Sequence, residues 1–264
     1  MSAEDILSQP QPPPDERVAY GPDPNQFLEV RLPHNKGPYA ALLNIHGGFW
    51  RSKYDLAHSG HLCEALRVAG IATFNVEYRR VGNAGGGWPG TFEDIRAAYR
   101  FIRQRQSQFR LEPSRLAVMG HSAGGQLALC LAAHEPTVRH AISLAGVVDL
   151  RKAFALHLSR DAVLEFMGGT PEAVPEHYRE ADPMELSIQT AMQYLLHGAQ
   201  DDTVPADFSR DYVARKKRAG ESVQLVEIAQ AGHFGLVDPH SEAFAQAKAT
   251  VLKALEITNL ETRN

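Results

Sequence analysis

Five consecutive residues, Gly120-His121-Ser122-Ala123-Gly124, constrain this chain more than any others. They join a short apolar run, Leu116-Ala117-Val118-Met119, to an Ala/Leu-rich pattern of helical spacing over 126–133. A strand that passes into a helix through G-x-S-x-G holds its serine on a sharp, strained turn. Glycine is needed two residues to either side, because any side chain there would collide with the adjoining strand and helix. Such a turn lifts the Ser122 hydroxyl to the carboxyl end of a strand, and the helix starting there aims N–H groups and its positive dipole end at the same spot. The same residues also describe a glycine-bracketed turn with a serine N-cap. Other parts of the chain must therefore decide between a nucleophile and a cap.

The rest of the chain alternates strand-like and helix-like patterns. A continuous apolar run at 40–45 has the composition of a strand covered on both faces, 71–76 is another of that kind, and 140–145, 194–197 and 222–228 read as further strands. A further segment, 27–32, alternates apolar and charged residues as an edge strand does. Helical spacing appears at 56–69, 91–109, 205–219 and 241–255. This pattern predicts an α/β fold, a mainly parallel sheet with helices on both faces. The organisation expected is a proline-rich N-terminal arm over 1–25 and one domain over 26–264. Within that domain, 146–189 breaks the alternation with short apolar pieces between Gly168, Gly169, Pro171, Pro175 and Pro183. So long a stretch is expected to be a small helical excursion lying over the site as a partial lid.

Size and charge narrow the class. With 264 residues and 44% hydrophobic content, the chain can bury a substantial core. A net charge of −4 with mixed signs gives no footprint for nucleic acid or an anionic membrane surface. Cys63 and Cys130 sit in apolar helical patterns and read as buried free thiols, which suits a reducing, cytoplasmic compartment. Met1-Ser2-Ala3-Glu4-Asp5 has neither the basic nor the apolar region of a secretory signal. No metal or cofactor is expected. His134-Glu135 lacks a second histidine four residues on, the His58/His61 pair lacks a third ligand, and the glycine-rich loop over 82–90 lacks a Walker lysine and dinucleotide spacing. The expected partner is a small molecule, and the sequence is compatible with a homodimer.

In an open parallel sheet, ligands meet the carboxyl ends of strands, so the groups that would complete a serine site belong there. A base and an orienting acid should follow Ser122 in the order Ser, acid, His. Asp201 and Asp202 fall just past the strand over 194–197, and His233 falls just past the last strand. The loop after 40–45 reads His46-Gly47-Gly48-Phe49-Trp50. Its glycines allow backbone N–H groups to turn inward beside the Ala123 N–H. Gly48 and Phe49 are the expected oxyanion donors, with Gly47 shaping the turn. Each donor of this kind is worth roughly 3–4 kcal/mol of barrier. Trp50, Trp88 and Phe234 flank strand ends and are expected to wall a substrate pocket. Arg51, Arg79 and Arg80 are expected to be solvated.

On these motifs the chain resembles α/β-hydrolases of the esterase, arylformamidase and prolyl-oligopeptidase-like kind, over roughly residues 26–258. The pattern His-Gly-x-x-Asp-x-x-Val-Pro of such enzymes matches His197, Gly198, Asp201, Val204 and Pro205, which implies that Asp201, not Asp202, is the acid. His46-Gly47-Gly48-Phe49-Trp50 is similar to the His-Gly-Gly-x-Trp motif of kynurenine formamidases and related esterases. The resemblance implies a metal-free serine hydrolase of carboxylic esters using Ser122, His233 and Asp201. The alternative it implies is an arylformamidase cleaving N-formylkynurenine. A peptidase, or a non-catalytic binding module on a hydrolase scaffold, is less expected.

Overall fold

The computed structural model describes residues 6 and 9–257. Its strands, in chain order, are β1 (Glu16–Ala19), β2 (Phe27–Arg31), β3 (Tyr39–Ile45), β4 (Ile71–Glu77), β5 (Leu111–His121), β6 (His140–Leu144), β7 (Met192–Gly198) and β8 (Val223–Ile228). They form one sheet in the order β1-β2-β4-β3-β5-β6-β7-β8. The β1–β2 and β2–β4 pairs are antiparallel, and the others are parallel. Strand β3 shows how its sequence dictates this. Ala41, Leu43 and Ile45 enter one core layer, and Ala40 and Leu42 enter the other. A period of two with apolar residues at every step can be satisfied only between two covering layers. Each leucine so buried contributes roughly 1.5–3 kcal/mol.

The helices are α1 (Gly60–Val68), α2 (Gly90–Gln104), α3 (Ala123–His134), α4 (Leu150–Ala155), α5 (Ala162–Met167), α6 (Pro175–Ala181), α7 (Asp207–Arg218) and α8 (Glu242–Ala254). Leu62 and Leu66 of α1 join Phe244 and Val251 of α8 in one layer, while Ile95 of α2, Leu127 of α3 and Phe208 of α7 lie in the other. Helix α3 is apolar on all sides and buried from Ala123 to Ala132, as a helix must be when it is enclosed by sheet and helices together. Ser241 caps α8, its hydroxyl accepting the Phe244 N–H at 3.0 Å.

Three expectations change. The stretch 1–25 is not only an arm: Glu16–Ala19 pairs with β2, so 27–32 is not the sheet edge. Past Pro14 the chain regains backbone N–H groups and can join a ladder. It also covers Glu29 and Arg31, which are buried and bonded to Arg17 and to the Pro12 carbonyl. Residues 1–5, 7 and 8 of that stretch lie outside the described residues. The helix expected over 91–109 ends at Gln104. Residues 104–108 are all polar and offer no apolar face, and Arg110 reverses the chain at φ 53°, which sets Phe109 against Phe74. Strand β5 starts earlier than Leu116, and a register shift between Tyr39 and Ala41 accommodates Pro113. The expected excursion over 146–189 holds the short helices α4, α5 and α6.

Candidate active site

The turn after β5 carries the backbone strain that its sequence implies. Ser122 adopts φ 56° and ψ −118°, a conformation costing about 1–3 kcal/mol and held only when its surroundings over-determine it. Those surroundings are specific. The Ser122 N–H donates to the Leu144 carbonyl at 2.8 Å, and its own carbonyl accepts from Gly125 at 2.9 Å and Val147 at 3.2 Å. A methyl group on Gly120 would land on the Gly124 carbonyl, and one on Gly124 would land on the Ile45 carbonyl. The two glycines are therefore demanded by close backbone approach, not by flexibility.

His233 lies in the loop after β8. Its Nδ1 is 2.7 Å from Asp201 Oδ2. A carboxylate only accepts, so Nδ1 donates and Nε2 is left for the cleft. Asp201 stands in the loop after β7 and also meets His197 Nε2 at 3.3 Å. Its Oδ1 accepts the Thr203 and Val204 amides at 2.9 and 2.8 Å. Burial works to raise the Asp201 carboxyl. The hydrogen bonds of His197, His233 and Val204 outweigh it and hold the group well below the usual carboxylate range. Asp202 is exposed and, among the described residues, bonds only to the Thr203 hydroxyl. Of the two aspartates, Asp201 is the one that meets the histidine.

The loop after β3 closes over the elbow. A methyl group on Gly47 would come within 3.0 Å of Ser122 Cβ, which places this loop directly against the serine. Among the described residues, the N–H groups of Gly48, Phe49 and Ala123 donate to no backbone acceptor, as an oxyanion site would require. His46 anchors the loop. Its Nδ1 meets the Gly47 carbonyl at 2.7 Å, its Nε2 meets Glu77 at 3.1 Å, and its ring stacks on Tyr78 with centroids 4.4 Å apart. Glu77 further accepts from Arg80 at 2.9 Å and from the Leu56 amide at 3.2 Å. Burial opposes its charge, but His46 and Arg80 hold its carboxyl below the ordinary value.

Ser122 and His233 line one cleft of about 320 Å³. Phe49, Tyr54 and Phe234 supply its aromatic walls, and Ser159 of the excursion and Thr203 supply hydroxyls. Gly48, His58 and His121 also line it, and among the described residues no Asp, Glu, Lys or Arg does. Burial, reinforced by His46, pushes His58 down to about 4. Burial, then the neighbouring His233, pushes His121 well below its ordinary value. His121 Nε2 donates to the His233 carbonyl at 3.0 Å, tying the turn at Ser122 to the loop after β8. A shallower hollow of about 360 Å³ beside α2, between Tyr20 and Arg96, is lined, among the described residues, by no serine, cysteine or histidine.

Two expected substrate contacts lie elsewhere. Trp50 is fully buried, stacked on Phe166 at 4.4 Å and bonded through Nε1 to Gln126 at 3.1 Å. Phe49 and Trp50 both take positive φ, at 50° and 56°, and the chain reversal carries the indole into the core. Trp88 stacks on Phe92 and contacts Phe166, away from the cleft lining. The three arginines expected in solvent are all engaged: Arg51 with Glu165, Arg79 with Asp94, and Arg80 with Glu77. Tyr54, Ser159 and Thr203 line the cleft and His197 bonds Asp201 with no motif in the sequence assigning them a role, and His58, in a pair that lacks a third metal ligand, lines the cleft instead. His197 alone had a signal, standing four residues before Asp201 in the matched motif. Cys63 and Cys130 are buried free thiols. Among the described residues, no group of three or more His, Cys, Asp or Glu is placed to hold a metal ion, and no helix is long and apolar enough to cross a membrane.

A family model described as BD-FAE matches residues 28–215. The chain belongs to the BD-FAE family. The BD-FAE match takes in Ser122 and Asp201 and ends before His233. Esterase LipC of Mycobacterium tuberculosis is 27% identical over 248 residues, covering 84% of this chain and 60% of that protein. The chain thus spans somewhat more than half the length of this curated relative. A kynurenine formamidase of Meyerozyma guilliermondii is 19% identical over 254 residues, covering 89% of this chain and 90% of that one. A solved structure of a truncated carbohydrate esterase from gut microbiota superposes with a TM-score of 0.79 at 21% identity, covering 91% and 95% of the two chains. That likeness speaks to the fold, which is the α/β-hydrolase fold.

Proposed function

We propose that this BD-FAE member hydrolyses carboxylic esters through an acyl-enzyme. Ser122 attacks the ester carbonyl as His233 Nε2 takes its proton. The tetrahedral oxyanion is met by the N–H groups of Ala123, Gly48 and Phe49. His233 then protonates the leaving alcohol, and a water activated by the same histidine releases the acid. Asp201 holds the imidazole in the donating tautomer and stabilises its cationic form. The observation that carries this reading is the strained Ser122 sharing a cleft with His233, whose Nδ1 is 2.7 Å from a carboxylate held ionised. LipC, named an esterase, supports the same direction.

The formamidase reading is the second. Its support is the His46–Trp50 motif and a relative of that name matched over nearly the whole of both chains. The cleft lining weighs against it. N-formylkynurenine carries an amino-acid ammonium and carboxylate, and among the described residues no Asp, Glu, Lys or Arg lines the cleft to meet either. Purified protein and Ser122→Ala, assayed side by side on p-nitrophenyl acetate and N-formylkynurenine, separate the two. Ser122-dependent ester turnover with a negligible formamide rate is expected. A formamide kcat/KM well above that of the ester would select the second reading, and turnover surviving Ser122→Ala would remove the mechanism altogether.

A further inference from the structure

Arg51 directly follows Trp50 in the loop after β3, yet its guanidinium bonds to the excursion. One terminal nitrogen donates to the Ser159 carbonyl at 2.8 Å and to Ser159 Oγ at 3.2 Å. The other donates to the Arg160 carbonyl at 3.0 Å, and Nε pairs with Glu165 at 2.7 Å. The turn so gripped is unusual. His157, Ser159, Arg160 and Asp161 have φ of 52°, 48°, 55° and 61°, a left-handed run that L-residues avoid. Two carbonyls of that run converge on one guanidinium, which offsets the strain and fixes where Ser159 stands.

A guanidinium donates and never accepts. Arg51 therefore occupies a lone pair of Ser159 Oγ and leaves the hydroxyl hydrogen for another partner. Ser159 lines the same cleft as Ser122 and His233. The Thr203 hydroxyl in the same lining has the opposite polarity. Thr203 Oγ1 gives its hydrogen to Asp202 at 3.3 Å and keeps lone pairs to offer.

We infer that Ser159 is a specificity-determining residue, its hydroxyl presented by Arg51 as a hydrogen-bond donor to a substrate oxygen outside the scissile ester group. Arg51 is a positioning residue that acts through Ser159. This rests on the ester-hydrolysis reading above. The ligand class is an uncharged ester bearing an ether or hydroxyl oxygen, favoured over its hydrocarbon isostere.

Two isosteric pairs test it. 2-Methoxyethyl acetate against n-butyl acetate places the oxygen on the alcohol side, and p-nitrophenyl methoxyacetate against p-nitrophenyl butyrate places it on the acyl side. The quantity read is the ratio of kcat/KM within each pair, compared between wild type and variant so that intrinsic reactivity cancels. Ser159→Ala is expected to lower the oxygen preference about three- to tenfold on one of the pairs, mainly through KM, with the hydrocarbon member changed by less than about twofold. Arg51→Met should lower the same ratio, and Arg51→Met with Ser159→Ala together should lower it no further than either alone. Ser122-dependent hydrolysis with both ratios unchanged in Ser159→Ala overturns the inference and leaves the ester reading standing. Absence of Ser122-dependent hydrolysis of all four esters overturns the ester reading, and the inference falls with it.

Discussion

At the scale of single residues, neighbouring groups of the same chemistry have been given different environments. Asp201 and Asp202 are adjacent, yet one is buried under two imidazoles and two amides while the other faces solvent. The proposed roles predict a wide separation. Asp201→Asn should lower kcat about 10⁴-fold, because an amide can favour the wrong imidazole tautomer. Asp202→Asn should stay within a few-fold of wild type. Steady-state kinetics of the two variants check this, and comparable losses would unseat Asp201 as the orienting acid. Ser122 and His233, which share one cleft, could be picked out by a chemically required residue type at a strand end, whereas the choice of Asp201 over Asp202 rested on the resemblance at His197, Gly198, Asp201, Val204 and Pro205. Tyr54, Ser159 and Thr203 were not, since nothing in their local sequence distinguishes a hydroxyl facing a cleft from one facing water. Trp50 misled for a related reason. Its place at a strand end suggested exposure to substrate, while two consecutive positive φ angles, invisible in the sequence, turn it inward.

At the scale of elements, strand positions were the most readable feature, because buried parallel strands demand uninterrupted apolar runs. What the sequence did not give away were the ends set by tertiary contacts. Helix α2 stops where its apolar face stops, and the arm becomes β1 because β2 offers it an open edge. The joint between elements is equally hidden. Gln126 of α3 accepts the Trp50 indole N–H at 3.1 Å and donates to the Ala181 carbonyl at 2.8 Å. One fully buried amide thus ties the loop after β3, the elbow helix and the end of α6 together. Gln126→Leu preserves the approximate volume but leaves a buried donor and a buried acceptor unpaired, at about 1–3 kcal/mol each. A loss of roughly 2–5 kcal/mol in urea unfolding is expected, with the slope of unfolding unchanged. A loss below about 1 kcal/mol would show that the three elements are held by apolar packing alone.

At the scale of the whole molecule, the histidines around the cleft link its environment to stability against acid. His58 is buried against His46, with ring centroids 6.0 Å apart, and against His121, at 6.3 Å. Burial first, and His46 second, lower it from an ordinary 6.5 to about 4. Between those values the unfolded chain binds a proton at this position and the folded chain does not. Its contribution is therefore complete above pH 6.5 and is lost as pH falls toward 4, by about 3 kcal/mol in all and about 2 kcal/mol between pH 7 and 5. His121, lowered by the same burial, acts in the same direction. Asp182 acts in the opposite one. Burial, with Asp149 nearby, raises its carboxyl to about 7, so the folded chain holds a proton that the unfolded chain releases, and that contribution weakens as pH rises from 4 to 7. The wild-type pH slope mixes these groups, and comparison with His58→Gln, neutral at every pH, isolates one of them. Over pH 7 to 5 the melting temperature of His58→Gln should fall about 4–8 °C less than that of wild type, since a domain of this size shifts about 2–4 °C per kcal/mol. Parallel slopes in calorimetry would mean that His58 takes up its proton as readily in the folded protein as in the unfolded chain, and that the cleft wall behind Ser122 is open to water.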